Sequence, residues 1–566
     1  MKLISILLLH FILFVQYANA QKQDNVWLFG YRFDEDSLSN GIIFQFDDSL
    51  KITYEPRPMD FATTSACISD SSGNLLLYSN GCYIANSADM EVEGSSGLNP
   101  GILYNLFCAD DVGYNIPTGM ISLPDPGEST MIHFFHYPSV TTAFKNLLHT
   151  QVDISSNNGL AQVLFKNQPI ILDTIHPDGM HSVKHANGRD WWIITAKQYS
   201  NRYYTLLLSP DGIFQQEQSI GTLAMSGAGG QMVFSPDGSK IARFNAKDDL
   251  RIFDFDRCTG TLSNPIFIPI QDNADNENFA GLAWSADGHY LYAAEIKRIL
   301  QFDMWASDIA ASMTIVAERP PSPSPNLGYL ELGPDGYIYG RPLGGDWRFH
   351  RIKHPERGGF DSEVQQSYYF LDFPHGNLPH FPNFRLGPVD GSACDTLGLD
   401  NHPLAGWRYD KTEGLSVDFT SVSWYEPDTW WWDFGDGAQS NERNPTHTFP
   451  APGAYEVCLS VSNEYGTDTK CKWVWLNTSG IKPLSSGEGL GVRLFPNPST
   501  GQIFWMGLEG EAVTLQVFNA LGQQVAERNS TENGVDLSHL PSGVYHIKFL
   551  TSDNTIRLNK SVVIEK

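Results

Sequence analysis

Between residues 21 and 388 the chain alternates short apolar runs with polar turns that close on glycine. The unit recurs as "VKHANGRDWWII", "VFSPDGSKIARF", "LAWSADGHYLYAA" and "LELGPDGYIYG". Its turn glycines, Gly188, Gly238, Gly288 and Gly336, stand 50, 50 and 48 residues apart, with looser copies at Gly73 and Gly127. Asn-Gly and Asp-Gly suit hairpin turns because both positions tolerate positive φ. A strand ending in Phe-Asp recurs at Phe255-Asp256 and Phe302-Asp303, and Phe46-Asp47 resembles it. Short strands at this period predict propeller blades, whereas a continuous sandwich leaves the regular step unexplained. Six turn copies plus the strands at 27–47 predict about seven blades. The first strands are expected to close the ring against the last, near 368–384.

The repeat stops near Gly391. Residues 391–478 carry the alternating strands "LSVDFT", "TWWWDF", "AYEVCLSVSN" and "TKCKWVWL", enough for a small immunoglobulin-like β-sandwich. Residues 479–490 are rich in Gly and Ser and read as a linker. Residues 491–566 form a third all-β unit, expected to be a small sandwich. The whole chain is therefore expected to be all-β.

The start of the chain is different in kind. Lys2, the apolar run at 3–15 and the pattern Ala18-Asn19-Ala20 read as an export signal over residues 1–20, with cleavage after Ala20. No later segment reaches about 18 consecutive apolar residues, so no transmembrane span is expected in the mature chain. No cysteine follows the cleavage point, which argues against a lipid-anchored start.

Two segments resemble known families. Trp432, Asp433, Gly435, Asp436 and Gly437 lie in W-D-F-G-D-G, followed by Asn444, Pro445 and His447 in N-P-x-H-x-F and by the strand Gly453-Ala454-Tyr455-Glu456-Val457. This resembles the PKD domain, a sandwich common in surface proteins. Pro496-Asn497-Pro498, "FNALGQQV", Gly543 and Tyr545 in "LPSGVYHIKF", and the end "NKSVVIEK" resemble the C-terminal sorting domain of type IX secretion substrates. That resemblance implies handling by the type IX machinery, passage across the outer membrane of a gram-negative bacterium, and removal of the sorting domain on arrival. The propeller resembles, more loosely, the repeat regions that accompany these modules, in "KHANGRDWW" and "FDRCTG".

The formal charge of −27 repels phosphate backbones, and no local Lys/Arg cluster offsets it, so nucleic-acid binding is excluded as an expectation. An acidic surface holds divalent cations weakly, which leaves calcium as the one open cofactor. Seven cysteines are few for 566 residues. Cys458 and Cys471 flank the turn at 463–466 symmetrically, so a hairpin brings them face to face and a disulfide is expected, against two buried free thiols. Cys67 and Cys82 lack such symmetry, and the odd count leaves at least one thiol without a partner in the chain.

Catalytic signatures are missing: there is no H-E-x-x-H, C-x-x-C, G-x-S-x-G or Walker loop. Ser235-Pro236-Asp237-Gly238 and Ser285-Ala286-Asp287-Gly288 lack the trailing Trp of sialidase boxes and serve as turns. His181 and His185 share a strand face and are the metal-pair candidates, set against hydrogen-bonded imidazoles in a turn. Trp191, Trp192, Tyr199 and Tyr203 are the ligand-stacking candidates, set against packing between blades. Asp433 and Asp436 beside three tryptophans suggest a carboxylate pair on a sugar-binding floor. The run Gly435-Asp436-Gly437 instead favours a tight turn in which Asp436 accepts backbone N–H bonds. The expected function is a secreted or surface-displayed binding protein whose propeller recognises polysaccharide or protein. The alternative is an extracellular hydrolase or lyase using His and carboxylate side chains at the channel mouth.

Overall fold

The computed structural model describes residues 21–476 and 493–564, apart from 31–38, 48, 110–111, 139–143, 225–228, 246, 271–279, 321–324, 343–344, 377, 413, 496–501, 507–512, 520–523, 531–533, 542 and 551–555. The signal segment with Ala18 and Ala20, the linker at 479–490 and Pro496-Asn497-Pro498 lie outside the described residues. Two compact units result, one holding the propeller and the central sandwich, the other Tyr368–Phe370 with the C-terminal sheets.

The glycine repeat becomes a ring of antiparallel sheets. Each repeat turn joins the inner strand of a blade to the next strand outward: Ala66–Ser69 to Leu75–Ser79, Met120–Pro124 to Met131–His136, Gly230–Phe234 to Lys240–Asn245, Gly281–Trp284 to Tyr290–Ala294, and Leu330–Leu332 to Ile338–Gly340. Gly73, Gly188, Gly238, Gly288 and Gly336 all take positive φ there, which is why glycine recurs at that point. Gly127 is absent from that set, and its turn is instead held by Asp125 accepting from the Gly127 and Glu128 N–H groups.

One strand serves two blades. Gln162–Lys184 pairs with Phe144–Asp153 along its first part and with Trp191–Lys197 along its second, with a register break between Ile175 and Met180. It is the outer strand of one blade and the inner strand of the next. Counted this way, the described strands from Val26 to His375 make seven blades.

Neighbouring blades bury their faces against each other, so the second strand of a blade is buried on both sides. Ala242, Phe244, Leu291 and Ala293 are each fully buried, and one cluster joins two adjacent blades. Ring closure uses side chains. Trp27 packs against Tyr339 at 5.6 Å and Phe381 at 6.0 Å, and Arg385 binds Asp24 and Asn25 at 2.6 Å each.

The central sandwich pairs the sheet of Trp407–Lys411, Ser416–Ser421 and Thr446–Thr448 with that of Gln439–Ser440, Thr429–Asp433, Gly453–Asn463 and Gly466–Leu476. Trp407, Phe419, Trp432, Val457, Leu459 and Val474 fill the space between. The second unit has a three-stranded and a four-stranded sheet, with Leu515, Val517, Leu537 and Ile547 buried.

Three disulfides occur: Cys82–Cys108, Cys258–Cys394 and Cys458–Cys471. Cys67 is free and buried. Cys258–Cys394 ties the chain leaving the propeller to a blade, beside Arg257, which donates to the carbonyls of Lys184 and Gly387.

Candidate functional site

The two ends of the ring differ in chemistry. At the end carrying the repeat turns, the segment Phe381–Arg385 and the sandwich residue Trp424 cover the channel, with the Arg385 guanidinium 5.0 Å from the Trp424 ring. The cavity left behind measures about 80 Å³ and is lined by His181, Phe234, Trp284 and Glu331, among others. That space holds a few waters; a ligand pocket needs about 300 Å³ or more.

His181 sits at this closed end, 4.5 Å from His380, which pairs with Glu331 at 3.1 Å. Burial, then the charge of His380, holds the His181 imidazole well below its usual pKa. Burial pushes Glu331 upward against the pull of His380. His185 lies past the strand end, with Nδ1 accepting from the Asn187 N–H and Nε2 against the Cys258 carbonyl. With both nitrogens engaged and the side chains apart, His181 and His185 do not form the expected metal pair. Among the described residues no group of three His, Cys, Asp or Glu side chains is arranged to hold a metal.

The aromatic expectation also needs correction. Trp191, Trp192 and Tyr203 are buried, at 0%, 5% and 2% exposure. Trp191 packs on Phe384 and the Lys184 ammonium, while Trp192 packs on Phe255 and donates to the Arg257 carbonyl. A middle blade strand has a neighbouring blade on each face, so both members of the Trp pair go inward. Tyr199 alone is exposed, at 62%.

At the opposite end, where the inner strands begin, polar and aromatic side chains gather. Asp178, in the register break of Gln162–Lys184, binds Arg243 and accepts from Asn245 at 2.7 Å. His176 reaches Asp178 at 3.1 Å and Asp248 at 3.4 Å. Burial alone would raise the Asp178 carboxyl, but Arg243 and His176 hold it far below its ordinary range. Tyr137 bonds Thr195, which donates to the Gly179 carbonyl. Arg341 follows the second strand of the last blade, its N–H bonded to the Tyr329 carbonyl and its guanidinium 4.8 Å from the Tyr329 ring. Tyr199 lies in the turn after Trp191–Lys197 and so belongs to this same end.

Glycines let the inner strands converge here. A Cβ on Gly230 would meet the Phe244 carbonyl at 2.2 Å and Asp178 at 2.5 Å. On Gly281 it would meet the Gly328 carbonyl at 2.3 Å. Thr118 Oγ1, Arg243 Nη2 and Arg341 Nε are buried here without a hydrogen-bond partner among the described residues. Sequence reading missed Asp178, Arg243, Tyr329 and Arg341. The signal available was the glycine at or just before the start of five of the seven inner strands: Gly119, Gly179, Gly230, Gly281 and Gly328.

A second cleft, of about 400 Å³, flanks Cys82–Cys108 beside Tyr83, Asp89, Glu91 and Tyr104. Its carboxylates are already engaged: Asp89 by Tyr78 and Arg57, Glu91 by Ser96.

In the sandwich, Asp433 accepts the Gly435 N–H at 2.9 Å, and Asp436 accepts the Ala438 N–H at 3.0 Å. The other Asp436 oxygen meets His447 at 2.8 Å, and that ring stacks on Phe434 at 4.1 Å. Asn444 accepts the Ser421 N–H and Pro445 the Phe419 N–H. Trp432 is fully buried, whereas Trp431 is 46% exposed. The motif is a hairpin hinge tied to the facing sheet. Residues 403–475 match the PKD domain family, and residues 493–565 match the secretion-system C-terminal sorting domain.

This is an exported PKD-domain protein. Its sorting domain indicates export across the outer membrane by the type IX route, to the cell surface or the medium. In that domain Gly543 opens the strand Gly543–Leu550, and the buried Tyr545 donates to the Pro541 carbonyl at 2.9 Å. Among solved structures, the chain is similar to the PKD1 domain of the Vibrio cholerae metalloprotease PrtV. Identity is 33% over 14% of this chain and 99% of that one, with a TM-score of 0.13. A 6-phosphogluconolactonase-like structure from Bacteroides uniformis matches at 13% identity over 62% of this chain and 98% of that one, TM-score 0.39. PorZ, a surface component of the type IX system of Porphyromonas gingivalis, matches at 10% identity over 93% and 74%, TM-score 0.22. Among the described residues no helix is long and apolar enough to cross a membrane.

Proposed function

We propose that this exported PKD-domain protein is a recognition protein whose propeller takes a glycan or protein ligand at the end where the inner strands begin. The observation that carries this reading is the contrast between the ring's ends. One is covered by Trp424 and Phe381 over a water-sized cavity. The other gathers the charged and aromatic side chains of Asp178, Arg243, Tyr329 and Arg341, while unpartnered buried polar atoms occur at both ends, His181 Nδ1 and His380 Nε2 at the covered one. Buried polar atoms without partners cost free energy that a ligand or ordered water recovers. In this reading residues 1–20 are the cleaved leader, the propeller spans 21–388, the PKD domain 391–478 is a spacer, 479–490 a linker, and 491–566 the removable sorting domain.

The test is a glycan array and a surface-protein panel probed with the exported chain, alongside assays for release of sugar from array hits. Binding without turnover is the expected result. Turnover of a bound glycan would move the protein to the hydrolase or lyase class, and silence on every ligand would remove the recognition reading.

A further inference from the structure

Three exposed tryptophans share one surface. Trp431 is 46%, Trp473 53% and Trp475 60% exposed, and all three point outward from the four-stranded sheet of the PKD domain. In the strand Gly466–Leu476, Trp473 and Trp475 alternate with Val474 and Leu476, which are buried in the core. Outward positions nearer the turn carry Thr467 and Thr469, the polar choice expected of a solvated face. The two tryptophans depart from that choice at neighbouring outward positions, with rings 6.4 Å apart. Trp431 lies in register with Ser460 and Thr469, two strands from Trp473, and the Cys458–Cys471 disulfide crosses the face between them. The propeller docks on the other sheet, through Tyr337 to Asp410, Glu356 to Arg408 and Arg357 to Asp418. The tryptophan face is therefore turned away from it.

We infer that this face of the PKD domain binds an extended neutral polysaccharide, with Trp473 and Trp475 as adjacent stacking platforms and Trp431 as a third. The inference goes beyond the reading of the propeller and does not depend on it. An indole is a large, rigid, apolar plate, the shape that takes the C–H face of a sugar. The Trp473 and Trp475 rings follow one another along a strand, as successive sugars do along a glycan. Around them the outward side chains are hydroxyls: Ser460 and Thr469 bond each other at 2.7 Å, and Thr429 bonds Ser462. Hydroxyls both donate and accept, as sugar hydroxyls do. The outward positions of the three long strands carry Asp433 and Glu456 but no Lys or Arg. An anionic polymer would meet only negative charge there, on a chain of net charge −27. Met and Arg, which protein interfaces favour beside their aromatics, are also missing from these positions. A flat face gains affinity through many shallow contacts along a long chain, so its ligand is an extended polysaccharide rather than a short fragment. The disulfide pins the two long strands and holds the platforms in place before binding.

The experiment sediments the exported chain with microcrystalline cellulose, chitin and an insoluble β-1,3-glucan, with alginate beads and gelatin beads as the anionic and protein controls. The native chain is expected to be retained on at least one of the three polysaccharides and on neither control. Trp473→Ala/Trp475→Ala should bind at least about tenfold more weakly, and Trp431→Ala about threefold. Trp473→Phe/Trp475→Phe should keep more of the affinity than the alanine pair, because two stacking rings remain. The three side chains are exposed, so the variants should melt with the native chain. Should the alanine pair fail to fold, Trp431→Ala carries the comparison. Soluble ligands of the ring end should bind the variants as they bind the native chain, so the two readings fail separately. No retention on any polysaccharide, equal retention on alginate or gelatin beads, or native retention of the alanine variants would overturn the inference.

Discussion

Tyr337 of the propeller places its hydroxyl 3.0 and 3.1 Å from the two carboxylate oxygens of Asp410 in the PKD domain, with the Arg408 guanidinium 4.2 Å from its ring. Arg408 also reaches Asp410 at 2.8 Å and Glu356 of the propeller at 3.1 Å. All three members of the Tyr337–Asp410–Arg408 group are buried. The PKD domain is thus a spacer fixed to the last blade.

Removing Arg408 strands two carboxylates in this interface. Arg408→Ala is expected to cost about 3–5 kcal/mol, the range for breaking a buried charge pair from one side. Calorimetry should find one joint transition for propeller and PKD domain in the native chain, and an earlier, separate PKD transition in the variant.

The disulfides should differ in weight. Cys258–Cys394 closes a span of 136 residues and Cys458–Cys471 one of 13. Loop-closure entropy gives the longer span about 1–2 kcal/mol more stabilisation. Denaturant midpoints should therefore fall further for Cys258→Ala/Cys394→Ala than for Cys458→Ala/Cys471→Ala.

Acid should weaken the PKD hinge. Burial alone would raise the Asp436 carboxyl, but the Ala438 N–H and His447 hold it below its ordinary value. A folded pKa lower than the unfolded one gives stability that is complete above the unfolded value and lost as pH falls through the folded one. Asp436→Asn should cost about 1–2 kcal/mol at neutral pH, the price of a lost charged acceptor. In urea titrations, the gap from the native chain should shrink as the pH drops below about 4.

The convergence of inner strands should be intolerant of a methyl group. Gly281→Ala places a Cβ 2.3 Å from the Gly328 carbonyl, and overpacking of this kind costs about 1–3 kcal/mol. Thermal melting should show the loss, with Gly453→Ala, whose Cβ would meet nothing nearer than 3.6 Å, as the comparison for added volume.

The fold was legible where a local rule repeats. The positive-φ glycines give the blade period, and the W-D-F-G-D-G run names the sandwich, because both are dictated by backbone geometry within a few residues. The candidate site was not. Asp178 and Arg243 are 65 residues apart and meet only because two blades adjoin. Trp191 and Trp192 misled because an alternating strand normally has one solvent face, whereas a blade's middle strand has none. His185 misled because the strand ends at Lys184, before the shared face it needed.

Recognition at one end of the ring is tested most directly by hydrogen exchange on the exported chain, with and without the tightest ligand from the array. Protection is predicted at 118–120, 178–180 and 328–341, with no change at 381–386 or around Trp424. Protection confined to the Trp424 end, to the PKD domain, or to the cleft beside Cys82–Cys108 would contradict it.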